Sequence, residues 1–147
     1  MKRWHASAVA LLVVLAASPA LAQTLCGPPN PPIADGEPRV REKDFSATSF
    51  AQASQYLRQD VPKLMERLRT EDLLNTEAMY GYTNSLIHVD GYVLLQKALL
   101  RRAERDLVTE KSRAGRATRA DVTAATARFE EAKQRFCKFL ATAHYVD

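Results

Sequence analysis

Two long stripes of mainly apolar residues, joined by a short polar connection, constrain this chain more than any other feature. Within each stripe the residues recur at steps of three and four, which places them on one face of an α-helix. Such a face is typical of a seam between paired helices. The first stripe consists of Leu86, Val89, Val93, Gln96, Leu100, Ala103 and Leu107, and the second of Val122, Ala125, Phe129, Ala132, Phe136, Phe139 and Ala143.

The connection between the stripes has the residues that end one helix and begin another. Gly115 can adopt the left-handed conformation that closes a helix, and Arg113 places a cation at the negative end of the helix dipole. Thr118 is the predicted N-cap of the next helix, and Asp121 supplies a carboxylate variant of the capping box. So short a connection forces the two helices into an antiparallel hairpin.

The first 22 residues have the form of a secretory signal peptide. Lys2 and Arg3 form a positive start, residues 6–17 are apolar, and the small-x-small sequence of residues 20–22 predicts cleavage between Ala22 and Gln23. The apolar run is shorter than the roughly 20 residues that a membrane-spanning helix needs. We therefore expect export to a bacterial periplasm, with no transmembrane segment after cleavage.

The residue before Cys26 bears on localisation, and the net charge after cleavage bears on partners. Lipidation of Cys26 is disfavoured, because the preceding residue is Leu25 rather than a small one. Without Lys2 and Arg3, 19 basic residues remain against 17 acidic ones, so the formal charge falls from +4 to +2. This balance gives no argument for binding nucleic acid.

Cys26 and Cys137 are the only cysteines of the sequence. An even count in an oxidising compartment indicates a disulfide, which would stabilise the fold by about 2–4 kcal/mol. Two free thiols and an intermolecular bond remain as alternatives.

The chain is predicted to divide into the signal peptide 1–22, an extended Pro-rich strap 23–45 and an all-α bundle 46–147, whose hairpin spans about 71–143. The hairpin is expected to pack against a shorter N-terminal helix or helix pair, giving a three- or four-helix bundle. The face of that N-terminal part comprises Phe50, Ala53, Leu57, Val61, Leu64 and Leu68.

Two interruptions of the helices are predicted. Pro62 lacks a backbone donor, so we expect a kink there or two short helices, with Asp60 as the second N-cap. Thr70 is a candidate cap for the long helix, which would run from about residue 71 to 114. Low helix propensity between Gly81 and Gly91 predicts a bend or break, unless these glycines serve the close approach of a neighbouring backbone.

No set of residues with the pattern of an active site, metal site or cofactor site is recognisable. His88 and His144 lack ligands at helical spacing and are predicted to be surface or satisfied histidines. No nucleophile motif or phosphate loop occurs. The sequence therefore predicts a protein that is not an enzyme and that has no metal or cofactor.

The hairpin tip is predicted to be basic. Its candidate partner-binding residues are Arg113, Gly115, Arg116, Thr118, Arg119 and Asp121. The alternative is a solvated helix end whose cations stabilise its own dipole.

The tip also resembles a known family. The residues Gly115, Thr118, Asp121, Val122 and Ala125 match the Gly-x-x-Thr/Ser-x-x-Asp-Val-x-x-Ala turn of TolC-type outer-membrane efflux proteins. The resemblance covers about half of the chain. It implies that residues 113–121 form a periplasmic tip of the kind at which adaptor proteins dock. The chain has neither barrel strands nor a second hairpin, so it is not a complete channel by itself.

These observations predict an exported helical protein that acts by protein–protein contact, as an accessory component of an envelope or efflux complex. A second copy could cover the exposed seam residues, so self-association is also open. The alternative function is binding of a small ligand or metal near the aromatic cluster Tyr80, Tyr82 and Tyr92.

Overall fold

A computed structural model of the protein describes residues 24–71 and 76–146. It contains α1 (Ala47–Glu71), α2 (Thr76–Arg113) and α3 (Arg119–Thr142), preceded by a short 3-10 helix, Glu42–Asp44. Within these two ranges, β-pairing is limited to an isolated antiparallel bridge between Arg39 and His144. The prediction of an all-α fold is confirmed. The predicted signal peptide and its cleavage site lie outside the described residues.

The three helices form two consecutive antiparallel hairpins that share α2. In the first hairpin, the ring of Phe50 stacks on that of Tyr92 with centroids 4.7 Å apart. In the second, the guanidinium of Arg105 lies 4.5 Å from the ring centroid of Phe129. The start of α1 therefore lies against the middle of α2, where Phe136 of α3 also packs.

The core lies at this overlap. Its buried cluster combines two strap residues, Val40 and Phe45, with Leu95 of α2 and Phe136 of α3. The ring of Phe45 contacts that of Phe136 edge-on, with centroids 6.0 Å apart. The strap thus supplies part of the core, in addition to covering it.

Helix α1 has the predicted start and the predicted buried face. The hydroxyl of Ser46 accepts a bond from the Ser49 N–H at 3.1 Å, and the hydroxyl of Ser49 accepts one from the Ser46 N–H at 3.0 Å. These reciprocal bonds satisfy donors that the first turn leaves free. Of the predicted face, Ala53 is buried, and Phe50, Leu57, Val61 and Leu64 are partly buried.

The predicted interruption at Pro62 does not divide α1, which continues through it as one helix. Pro62 and Arg58 are both exposed, so solvent can serve the carbonyl of Arg58 that loses its helical donor. Asp60 is therefore not an N-cap. Thr70 is not one either, because α1 extends to Glu71 and the next helix begins at Thr76.

Helix α2 is continuous, so of the alternatives left open for residues 81–91 a break does not occur. Both glycines lie where an aromatic side chain meets the helix. A Cβ at Gly81 would lie 2.7 Å from the hydroxyl oxygen of Tyr56, and one at Gly91 would lie 2.5 Å from Cζ of Phe45. The groups beside Gly81 and Gly91 are thus aromatic side chains, whereas the sequence suggested the close approach of a neighbouring backbone.

The two predicted seam faces differ in outcome. In α3 the prediction is confirmed, since Ala125, Phe129 and Phe136 are buried. In α2 it is wrong over its second half: Val93, Leu100 and Leu107 are 39%, 59% and 56% exposed. The α2 residues buried in the bundle are Gly91, Leu95 and Ala98.

The strap is fixed to the end of α3 by covalent and backbone bonds. Cys26 and Cys137 form a disulfide with Cα atoms 5.5 Å apart, which confirms the predicted pairing. The Tyr145 N–H donates to the Pro38 carbonyl at 2.7 Å. The strap therefore runs beside the last residues of the chain, as an irregular extended segment.

Candidate functional site

The turn between α2 and α3 is built from backbone bonds that Gly115 makes available. Gly115 has φ +69° and donates to the Ser112 carbonyl at 3.0 Å, while Arg116 donates to the Lys111 carbonyl at 2.8 Å. These two bonds form a Schellman motif, which satisfies carbonyls at the end of α2. Glycine adopts this left-handed conformation at little conformational cost, so Gly115 allows the chain to reverse direction here.

The predicted capping box of α3 is present. Thr118 Oγ1 accepts a bond from the Asp121 N–H at 3.1 Å, and Asp121 Oδ2 accepts one from the Thr118 N–H at 2.8 Å. The hydroxyl of Thr118 also donates to the same carboxylate at 2.7 Å. These bonds from the backbone and hydroxyl of Thr118 lower the pKa of Asp121. The carboxylate of Asp121 is thus hydrogen-bonded within the N-cap of α3.

The cations at the tip are exposed and differ in their partners. Arg113 pairs with Glu110 at 2.5 Å, one turn earlier on α2. In the part of the chain that the structure describes, Lys111, Arg116 and Arg119 make no ion pair. The tip therefore presents positive charge that its own acidic residues leave unpaired.

The position of Arg119 separates the two sequence-based interpretations of this charge. Lys111 and Arg113 lie in the last turn of α2, where a cation stabilises the helix dipole. Arg119 is the first residue of α3, at the positive end of that helix, where a cation is unfavourable. Dipole stabilisation accounts for the first two residues and does not account for Arg119.

Other basic residues of α2 are used within the fold. Arg101 pairs with Glu104 at 2.6 Å, and Arg105 pairs with Asp106 at 2.6 Å while stacking over Phe129. These side chains flank the hairpin rather than its tip. Arg101 and Arg105 are therefore not part of the unpaired charge of the tip.

The aromatic residues proposed as a ligand site differ in their surroundings. Tyr92 is engaged by Phe50, while Tyr80 is exposed on a different turn. A cavity of about 590 Å³ lies instead between the strap and α3. It is lined in part by Pro28, Pro29, Ile33, Arg39, Leu140 and Ala141.

Arg39 organises the strap beside this cavity, a role that no sequence pattern indicated. Its guanidinium donates to the carbonyls of Pro31 and Pro32 at 3.1 and 3.0 Å and pairs with Glu37. The hydrogen bond from Arg39 lowers the pKa of Glu37, and the same bond raises the pKa of Arg39. A strap rich in proline has few backbone donors, so Arg39 supplies donors that hold its carbonyls.

The two histidines differ from each other. His144 is exposed, with Nδ1 2.9 Å from the Thr142 carbonyl oxygen. His88 lies beside Phe45 and Tyr145, and its buried Nδ1 has no hydrogen-bond partner in the described structure, so the prediction that it is satisfied is wrong. Among the residues in 24–71 and 76–146, no group of His, Cys, Asp and Glu could hold a metal ion.

Comparisons with known proteins add no relative: no family model, curated protein or solved structure matches the chain. Of the helices in the described ranges, none is long and apolar enough to cross a membrane.

Proposed function

We propose that the protein is an exported helical protein without enzymatic activity that acts by protein–protein contact through its hairpin tip, as an accessory component of an envelope complex. The single observation that carries the proposal is Arg119. It keeps a cation at the unfavourable end of α3, next to Arg116, which has no ion pair among the described residues. A charge that destabilises its own helix is expected where it serves a contact.

The chemistry of the tip defines the partner. A rigid turn with unpaired cations fits an acidic surface, and such complementarity mainly raises the association rate and the specificity. The resemblance of the turn to TolC-type proteins also supports the tip as the contact surface, because adaptor proteins dock at the hairpin tip in that family. The disulfide supports an oxidising compartment, in agreement with the predicted export.

The test is site-specific photo-cross-linking in the native envelope. A photoreactive residue in place of Ala120, which is exposed in the first turn of α3, should form an adduct with the partner. Adding Arg116→Glu and Arg119→Glu should abolish the adduct, since two attractions become repulsions. Raising the salt concentration should weaken it as well.

The matched control carries Lys63→Glu and Lys138→Glu, which change the net charge equally at exposed positions away from the tip. It should keep the adduct. The tip would be excluded as the contact surface if both double variants formed the same amount of adduct. It would also be excluded if the folded protein with the photoreactive residue and an otherwise unchanged tip formed no adduct.

The cavity beside the strap favours a second candidate function, the binding of a small, largely apolar ligand. Its volume of about 590 Å³ falls within the range of small-molecule sites, and prolines and Leu140 line much of it. Native mass spectrometry of protein from its own periplasm should then show an added mass. Ala141→Trp should fill the cavity and remove that mass, whereas Ala124→Trp, on the exposed surface of α3, should retain it. A clean apoprotein would exclude this candidate.

A further inference from the structure

The face of α2 that the bundle leaves uncovered carries a heptad repeat. Every seventh residue along it is large and apolar, in the row Met79, Leu86, Val93, Leu100 and Leu107. The adjacent row is Tyr82, Val89, Gln96, Ala103 and Glu110. The two rows occupy the a and d positions of a coiled-coil seam. The repeat continues through most of the helix, which is the length expected of a real seam.

The second half of this seam faces solvent. The packing against α3 uses other positions of α2, namely Leu95, Ala98 and Arg105. Val93, Leu100 and Leu107 are exposed, and Leu99 beside them is 40% exposed. Single exposed apolar residues are ordinary, but a continuous row of them marks an interaction surface.

Charges along one edge of the seam indicate what covers it. The e row next to Val93, Leu100 and Leu107 reads Asp90, Lys97, Glu104 and Lys111, so the sign alternates at each heptad. Side chains at this position pair between helices and set their orientation.

An antiparallel pair of identical α2 helices matches these charges without exception. When Leu100 of one copy lies opposite Ala103 of the other, Lys97 faces Glu104 and Asp90 faces Lys111. Two-fold symmetry repeats both contacts, because each residue meets its counterpart in both directions. The row is therefore complementary to itself when it is reversed.

In a parallel pair, the residues of the e row would not face one another. Glu104 would lie against Leu99 of the second copy, and the opposite-charge contact would be between Asp106 and Lys111. The alternating charges of the e row would then not be paired with each other.

We propose that two copies of the chain associate along α2 between Asp90 and Lys111, antiparallel, with Val93, Leu100 and Leu107 as the buried knobs. The inference goes beyond the proposed function, since it concerns the side of α2 rather than the hairpin tip. The occupant is a second copy because the surface complements itself in both apolar pattern and charge. Glu104 already pairs with Arg101 at 2.6 Å, and Lys97 of the second copy joins that pair.

The first experiment tests the apolar face by sedimentation equilibrium of the purified protein over a range of concentrations. The original chain should show a concentration-dependent dimer. Leu100→Asp should weaken dimerisation by about 100-fold or more, because two carboxylates would be buried per dimer. Met65→Asp is the matched control: Met65 is 60% exposed on α1, close to the 59% of Leu100, and its substitution should leave the dimer intact. A monomer at every concentration, or equal effects of the two substitutions, would overturn the proposal.

The second experiment tests the antiparallel register by exchanging charges. Lys97→Glu should weaken dimerisation by about tenfold, since two attractive contacts become repulsive, and Glu104→Lys should do the same. The double variant Lys97→Glu with Glu104→Lys should regain the original affinity. Lys138→Glu, a charge reversal on the exposed surface of α3, should have no effect. A double variant as weak as the single ones would refute the register and with it the proposal.

Discussion

Replacing Gly91 by alanine tests how the strap is packed onto α2. Glycine in a helix interior costs about 1 kcal/mol relative to alanine, so the substitution would ordinarily stabilise the protein. Here the new Cβ would lie 2.5 and 2.6 Å from Cζ and Cδ1 of Phe45. That ring is 5% exposed and has Phe136 and Phe139 beside it, so it has little room to move. Overpacking of this kind costs up to about 3 kcal/mol, which leaves a net loss of about 2 kcal/mol.

Gly81→Ala is the matched control, because it has the same propensity gain in the same helix. Its Cβ would meet the hydroxyl end of Tyr56, the far end of a side chain that is less enclosed than the ring of Phe45. We expect this substitution to stabilise the protein by up to about 1 kcal/mol.

Urea denaturation followed by circular dichroism measures both changes in the free energy of unfolding, and thermal denaturation followed in the same way gives the Tm. The net loss of about 2 kcal/mol for Gly91→Ala should lower the Tm by roughly 8 °C. In a double-mutant cycle, Phe45→Leu should remove most of the Gly91→Ala penalty, since the smaller side chain makes room. If Gly91→Ala stabilises the protein as much as Gly81→Ala does, the ring of Phe45 does not rest on α2 as described.

Four further predictions concern covalent and polar features. Replacing Cys26 and Cys137 together by serine should lower the free energy of unfolding in urea by about 2–4 kcal/mol relative to the oxidised original chain, and reducing the original chain should cost the same amount. Thr118→Ala should cost about 1 kcal/mol in the same assay, because the α3 N-cap loses its acceptor. The lowered pKa of Asp121 means that its contribution is present above about pH 4 and is lost as the pH falls below that, so the original chain should lose more stability in acid than Asp121→Asn. Burial and a nearby carboxylate raise the pKa of Tyr145, so its contribution is complete below about pH 10 and is lost at higher pH. Tyr145→Phe should therefore show a smaller loss of stability in alkali than the original chain, and equal alkaline profiles would contradict this.

The hairpin tip was predictable because its determinants are local. A left-handed glycine and a capping box need only neighbours in the sequence, and Gly115, Thr118 and Asp121 adopt the expected conformations and bonds. The disulfide was predictable because two cysteines allow only one intramolecular pairing. The role of the tip as a docking surface remains a proposal.

The seam of α2 was mispredicted because periodicity identifies the most apolar face of a helix and not its covered face. The covered face contains Gly91 and Ala98, whose small size admits large side chains from elsewhere. Phe45 and Phe136 supply that bulk. Nothing in the local sequence of α2 shows that a strap residue far along the chain will fill the space above Gly91.

The disulfide determines how the chain would bear a mechanical load. Cys26 and Cys137 are separated by 111 residues, and the covalent loop between them contains α1, α2 and the part of α3 that precedes Cys137. A force applied to residues on either side of that loop passes directly from one cysteine to the other. Among the helices, only the end of α3 after Cys137 carries it, so the rest of the bundle stays folded while the protein is held under tension between two attachment points. A protease that cuts a loop between the helices would likewise leave both fragments joined.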